Sequence, residues 1–259
     1  MKKGKKLYEG KAKIIYASAD KNLVIQHFKD DATAFNNKKK EIIDGKGILN
    51  NRISEHILSI LNQIGIKNHL VKRINMREQL VKIVEIIPIE FVIRNIATGS
   101  LTKRLGIEEG TVLDYPLIEY CLKNDDLGDP LVSREHILTF NWMNIMELEL
   151  INDQCKRVND FLQGMFRGVG IKLVDFKLEF GKCAQDNNII LADEISPDTC
   201  RLWDSATEKK LDKDIFRKDL GNLIEGYQEV ARRLNILHEQ SNIRPIKFPK
   251  PQAVTIKKK

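Results

Sequence analysis

Between Val174 and Phe180 the chain alternates apolar and charged side chains without a break, and only an extended strand sorts such a row into two faces. Asp175, Lys177 and Glu179 fall on one side, with Phe176, Leu178 and Phe180 on the other. An acid–base–acid row backed by apolar side chains suits a strand that lines a charged cavity. A solvated edge strand would carry the same row. A second segment, residues 86–94, also places charges, Glu90 and Arg94, on one face and runs on to Thr98-Gly99-Ser100.

Around these strands the hydrophobic spacing is mixed. Lys13–Ala17 and residues 22–28 flank a Ser-Ala-Asp-Lys turn and read as a hairpin; residues 69–74 and 79–86 read as another, with Pro88 expected to interrupt the strand or lie at its edge. Apolar residues at helical spacing predict helices over residues 48–64, from Asn144 to residue 166, and from Asp214 to Leu234, the last with Phe216, Leu220, Leu223, Tyr227, Val230 and Leu234 as its inner face. Two strands, 173–180 and 189–195, flank the turn-prone segment 185–188. The class is α+β: a β-rich lobe over residues 1–86, a larger lobe over 87–243, and a basic tail over 244–259.

The net charge of +7 misleads about partners. Residues 1–6 hold four lysines and residues 244–259 hold six basic side chains, neither with an acid, which leaves 33 basic against 36 acidic residues between them. With no basic stripe interleaved with aromatics, nucleic acid is not the expected partner. Four dispersed cysteines without a C-x-x-C pair fit a reducing compartment rather than a zinc site. No apolar run suits a signal peptide or a membrane span, so the cytoplasm is expected.

Three clusters are candidates for chemistry. Tyr8-Glu9-Gly10-Lys11-Ala12-Lys13 sets a glycine and two lysines where a hairpin begins, which fits a phosphate clamp better than a Walker loop, although a lysine-rich surface turn reads the same way. If the 185–188 turn sets the register, Glu179 lies near Asp193, and two carboxylates that close call for a cation such as Mg²⁺ or for neutralisation by Lys177 or Arg201. Arg94 could pair with Glu90 alone, or could combine with Ser100 at a helix start to hold a phosphate monoester.

Residues 86–100 (I-I-P-I-E-F-V-I-R-N-I-A-T-G-S) and 173–181 (L-V-D-F-K-L-E-F-G) resemble the two signature segments of the SAICAR synthetase family, the phosphoribosylaminoimidazole-succinocarboxamide synthases. The likeness extends to L-Y-E-G-K-A-K at 7–13, G-K-G-I-L-N-N at 45–51, K-R-L-G-I-E-E-G at 103–110, K-N-D-D-L-G-D-P at 123–130 and D-E-I-S-P-D-T-C-R-L-W-D at 193–204, covering residues 5–236. It implies a two-lobed fold akin to ATP-grasp and protein-kinase architectures, and a homodimer. It also implies a ligase that joins L-aspartate to the carboxylate of 5-aminoimidazole-4-carboxylate ribonucleotide (CAIR) at the expense of ATP; because oxide is a poor leaving group, an acyl phosphate is the expected intermediate. On that likeness Gly10, Lys11, Ala12 and Lys13 would cover the ATP phosphates with Lys123, and Lys82 would border the adenine. Glu179 and Asp193 would hold Mg²⁺. Arg94, Ser100 and Arg201 would take the 5′-phosphate, while Glu90, Asp175, Lys177 and Asp198 would surround the reacting carboxylate. Three rivals stand beside this reading: a non-catalytic nucleotide-binding relative, a small-molecule kinase, and a nucleic-acid binder that uses the terminal lysines. The sequence departs from the family at Asn37, where glycine is usual; asparagine tolerates a left-handed backbone, so the turn can survive.

Overall fold

The structure, a computed structural model, describes residues 3–34 and 39–237; Asn37 and the basic tail fall outside them. The elements run β1 (Lys6–Glu9), β2 (Lys13–Ala17), β3 (Leu23–Phe28), β4 (Asp31–Ala34), β5 (Lys39–Ile42), α1 (Lys46–Gln63), β6 (Leu70–Arg73) and β7 (Glu78–Lys82). They continue with β8 (Val84–Ile96), α2 (Ser100–Leu105), β9 (Val112–Leu122), β10 (Leu131–Val132), α3 (Arg134–Thr139), α4 (Ile145–Gly168), β11 (Ile171–Cys183), β12 (Ile189–Ala192), β13 (Cys200–Asp204), α5 (Asp214–Arg217) and α6 (Leu223–Arg233).

Two larger sheets result. One is antiparallel in the order β1-β2-β3-β7-β6; the other has the order β10-β9-β8-β11-β12, with β13 also on β11. β4 and β5 pair separately. Residue 87, where the second lobe is expected to begin, lies within β8 rather than in a linker. The helices also bind the two halves together, since α1 packs against α6. The larger of two apolar clusters among the described residues runs from Ala32 to Ile236 and gathers Phe91, Phe176, Leu178 and Phe180 beneath the second sheet; Ile96, Val174 and Trp203 form the smaller one.

Local chemistry explains most boundaries. α1 stops at Gly65 in a Schellman turn: Ile66 N–H donates to Leu61 O and Gly65 N–H to Asn62 O, with Gly65 at φ +84°. α4 begins with a capping box in which the Asn144 side chain accepts from Glu147 N and Glu147 accepts from Asn144 N, both at 2.9 Å. Its apolar stripe then lies across β11, β9 and β8.

Three expectations need correction. Pro88 neither ends nor edges its strand; it lies inside β8, between β9 and β11, where the pairing with β11 slips between Glu179 and Gly181. A bulge relieves the missing donor, and Pro88 O still accepts from Lys123 N at 3.0 Å. The strand expected over 189–195 ends at Ala192, because Asp193 turns into the left-handed region at φ +58°. The helix expected over 214–234 is two helices: Asp219 (φ +54°) and Gly221 (φ +125°) break it, and Asn222 caps the second by accepting from Ile224 N. Leu220, expected on the inner face, is left exposed.

Gly47 shows how closely α1 abuts the first sheet. A β-carbon there would stand 2.5 Å from Phe28 O and 2.9 Å from Lys29 O, both backbone atoms that cannot swing away. Gly47→Ala is therefore expected to destabilise the protein by about 1–3 kcal/mol, as overpacking does, measured by urea denaturation. An unchanged midpoint would contradict this packing.

Candidate active site

β11 occupies an interior position, flanked by β8 on one side and by β12 and β13 on the other, so the solvated-edge reading of its charged row falls away. Its charged face looks into a cavity of about 510 Å³ between the two larger sheets. Every sequence-derived site residue except Lys82 lines that cavity; Lys82 ends β7, its N–H donating to His69 O. Eight side-chain cations and eight carboxylates line the walls, so the cavity is charge-dense yet balanced.

One end is built from lysines and carboxylates. The β1–β2 turn closes with Gly10 N–H donating to Lys13 O at 2.8 Å, and the glycine turn thereby aims two lysines at the cavity. Lys13 pairs with Asp193 and, at 2.8 Å, with Glu194; Lys11 reaches Asp125 at 2.6 Å. Glu179 stands opposite Ala192 in the β11–β12 register, next to Asp193, as the turn predicted. Lys177 binds Glu179, lies 2.8 Å from Glu90 and 3.7 Å from Asp193, and Lys123 completes the shell on Glu179.

Burial and neighbouring charge compete throughout this cluster. Burial pushes the Glu179 and Asp193 carboxyls up, but the lysines around them win and hold both below the ordinary carboxylate range. Burial also works against the charge on Lys13 and Lys177, yet the surrounding carboxylates raise both above the usual lysine value. For Glu90 burial wins, and its carboxyl sits above the ordinary range despite Lys177. Beneath the cluster His69 is driven down to about 4 by burial and is neutral.

The other end is built from arginines. Arg94 and Arg201 both donate to Asp175 Oδ2 at 2.8 Å, and Arg94 Nη2 donates to Ser100 Oγ at 3.0 Å. Glu90 and Arg94 therefore pair with Lys177 and Asp175 rather than with one another. Gly99 makes room: at φ +62° it holds a conformation few side chains tolerate, and a β-carbon there would meet the Arg201 guanidinium at 2.9–3.1 Å. Since Asp175 and Glu179 are four residues apart on one strand, the two ends lie about 13 Å apart.

The sequence reading missed what stands behind Asp198. Lys46, fully buried at the start of α1, donates to Asp198 Oδ2 at 2.5 Å, and the buried Tyr227 hydroxyl of α6 donates to Oδ1 at 2.5 Å. Lys213 lies 3.9 Å from the same carboxylate and lines the cavity, as does Arg217. The flanking glycines of Gly45-Lys46-Gly47 were the available signal for Lys46; Tyr227 read only as a core residue.

Glu179, buried, and Asp193, largely buried, are ionised oxygen donors at the cavity wall, and no group of three or more potential ligands gathers among the described residues. That donor set fits Mg²⁺, which takes one or two carboxylates and completes its shell with phosphate oxygens and water. It does not fit a metal that demands a full protein cage.

Known proteins share both the sequence and the fold of this chain. Phosphoribosylaminoimidazole-succinocarboxamide synthase of Pelagibacter ubique (strain HTCC1062) is 71% identical over 260 residues, covering 100% of both chains. The crystal structure of the Ehrlichia chaffeensis enzyme of that name superposes with a TM-score of 0.89 at 56% identity, over 91% of this chain and 100% of that one. A SAICAR synthetase solved in complex with ADP superposes at 0.84 with 44% identity, over 88% of this chain and 96% of that one. With the SAICAR synthetase family model matching residues 6–234, nearly the whole described fold, the chain belongs to that family.

Proposed function

We infer that this cavity is where L-aspartate is joined to the carboxylate of CAIR, with ATP converted to ADP and phosphate. The chain is an ATP-dependent ligase of purine biosynthesis. The observation that carries the site assignment is the convergence of a glycine–lysine turn, a carboxylate pair and an arginine pair on one cavity. Gly10, Lys11, Ala12, Lys13 and Lys123 hold the ATP phosphates; Lys82, outside the cavity wall, is left to the adenine side. Arg94, Ser100 and Arg201 hold the 5′-phosphate of CAIR. Glu90, Asp175, Lys177 and Asp198 frame its reacting end, Asp175 and Asp198 by orienting the cations around them. The lysines and carboxylates of the cavity pair with one another, so each is oriented by an opposite charge.

Oxide is too poor a leaving group for an amine to displace from a carboxylate directly. A CAIR carboxylate oxygen therefore attacks the γ-phosphorus, the bond to the ADP oxygen breaks, and an acyl phosphate forms. The aspartate nitrogen then attacks the acyl carbon, phosphate leaves with that oxygen, and the amine gives up a proton. Lys13, Lys123 and Lys177 neutralise the phosphoryl oxygens and fix their direction, since in-line transfer asks mainly for positioning and charge compensation. Held by Glu179 and Asp193, Mg²⁺ would add charge neutralisation at the phosphates. Purified enzyme given CAIR labelled with ¹⁸O in its carboxylate should release phosphate carrying one labelled oxygen per turnover, and should form ADP beyond one equivalent per site only when CAIR and aspartate are both present. Unlabelled phosphate would rule out the acyl phosphate; sustained ADP formation without aspartate would favour a kinase.

The two sheets form two lobes around the cavity. The cysteines are all free, which suits the cytoplasm. Val112, Tyr115 and Leu117, exposed along β9 beyond its short pairing with β10, supply an apolar strip that a second copy could cover in a homodimer.

A further inference from the structure

Arg94 is held from behind by a carboxylate that does not line the cavity. Glu119, on β9, is only 7% exposed; its Oε2 accepts from Arg94 Nε at 2.6 Å, and its Oε1 accepts from Arg104 at the end of α2. Arg94 spends its other nitrogens on Asp175 and Ser100. On the far side Arg201 Nε donates to Asp214 at 3.0 Å, and Asp214 also accepts from Arg217 at 2.7 Å. The result is one alternating series, Arg104–Glu119–Arg94–Asp175–Arg201–Asp214–Arg217, in which every carboxylate bridges two guanidiniums. Four cations face three anions, and the excess positive charge is what an incoming anion completes.

We propose that Glu119 is a positioning residue for the substrate phosphate, fixing the Arg94 guanidinium so that its Nη2 edge, beside Ser100, is presented to the monoester. The proposal rests on the assignment of Arg94, Ser100 and Arg201 to the 5′-phosphate. A guanidinium is a rigid planar fork, so anchoring Nε fixes where both Nη groups point. Without Glu119 the same fork can pivot into a two-pronged pair with Asp175, turning Nη2 away from Ser100. Arg104 holds the second oxygen of Glu119 and so keeps that carboxylate in place from the surface side.

The test is steady-state kinetics on E119Q, E119D, R104M and R94M, with inorganic phosphate as a competitor against CAIR. Loss of one charge-assisted hydrogen bond should raise KM for CAIR about tenfold in E119Q, while KM for ATP and kcat stay within about twofold. E119D, which keeps the charge, should lie between E119Q and wild type, and phosphate inhibition should weaken in step with CAIR binding. R104M, altered at a half-exposed residue, should show a smaller rise of the same kind, and it carries the test if E119Q does not fold. The proposal is overturned if R94M raises KM for CAIR and E119Q does not. It is equally overturned if KM for ATP and CAIR rise together with a loss of thermal stability, the mark of a merely structural role. If R94M itself leaves KM for CAIR unchanged, the phosphate assignment fails and takes the proposal with it.

Discussion

Asp198→Asn is expected to lower the melting temperature by roughly 10 °C, because it leaves the Lys46 ammonium buried without a counter-charge. Removing one partner of a buried ion pair costs about 3–5 kcal/mol, and each kcal/mol shifts the melting point of a chain this size by about 2–4 °C. Lys46→Met should cost about half as much, since Asp198 then keeps the Tyr227 hydroxyl at 2.5 Å and Lys213 at 3.9 Å. The two substitutions are therefore unequal, although they break the same contact. Burial pushes the Asp198 carboxyl up, but Lys46, Lys213 and the Tyr227 hydroxyl hold it well below 3.8. A depressed native value means that the wild-type advantage over Asp198→Asn is complete at pH values above that figure and drains away as the pH falls below it. Thermal melts at pH 7, 5 and 3 decide the matter. A loss of only about 2 °C at pH 7, or an advantage that grows on acidification, would show that the pair is not carrying charge in a dry environment.

The contrast between this network and the β11 row shows which features a sequence exposes. Period-two alternation is written in consecutive residues, so the shared face of Asp175, Lys177 and Glu179 could be read directly, and the 185–188 turn brought Asp193 beside them. The order of strands could not be read, yet it decides whether that face meets solvent or a cavity. Lys46 is harder. A lysine at a helix start reads as solvated, and only the packing of α1 on α6, residues more than 150 positions apart, takes it out of water. Tyr227 fell correctly on the inner face of α6, but periodicity says nothing about where a hydroxyl points. Glu119 was hidden because β9 went unread: Asp114 and Pro116 interrupt its apolar pattern, and the strand is fixed by pairing with β8 rather than by its own residues. Leu220 misled for the opposite reason, fitting the helical spacing while Asp219 and Gly221, on either side of it, broke the helix.

Glu179→Gln is expected to lower kcat by a factor on the order of 100 or more while leaving the fold nearly unaltered. The substitution preserves size and keeps one oxygen, but it withdraws half of the carboxylate pair that would hold Mg²⁺ against the nucleotide. Stability should change little because the local charges can redistribute. Lys177 retains Glu90 at 2.8 Å and Asp193 at 3.7 Å, and Lys123, with a side chain 40% exposed, can turn to water. The repulsion between Glu179 and Asp193 that pushes the Glu179 carboxyl up is relieved at the same time. Binding supplies the second readout: ADP should raise the melting temperature of wild type further with Mg²⁺ than without it, and Glu179→Gln should lose that increment while keeping the metal-free response to ADP. Wild-type kcat and an intact Mg²⁺ increment in the variant would place the ion elsewhere. The Glu179 carboxylate would then serve only to neutralise Lys177 and Lys123, and replacing it would free those lysines to bind phosphate more tightly. The two accounts thus predict opposite changes in the affinity for Mg·ADP.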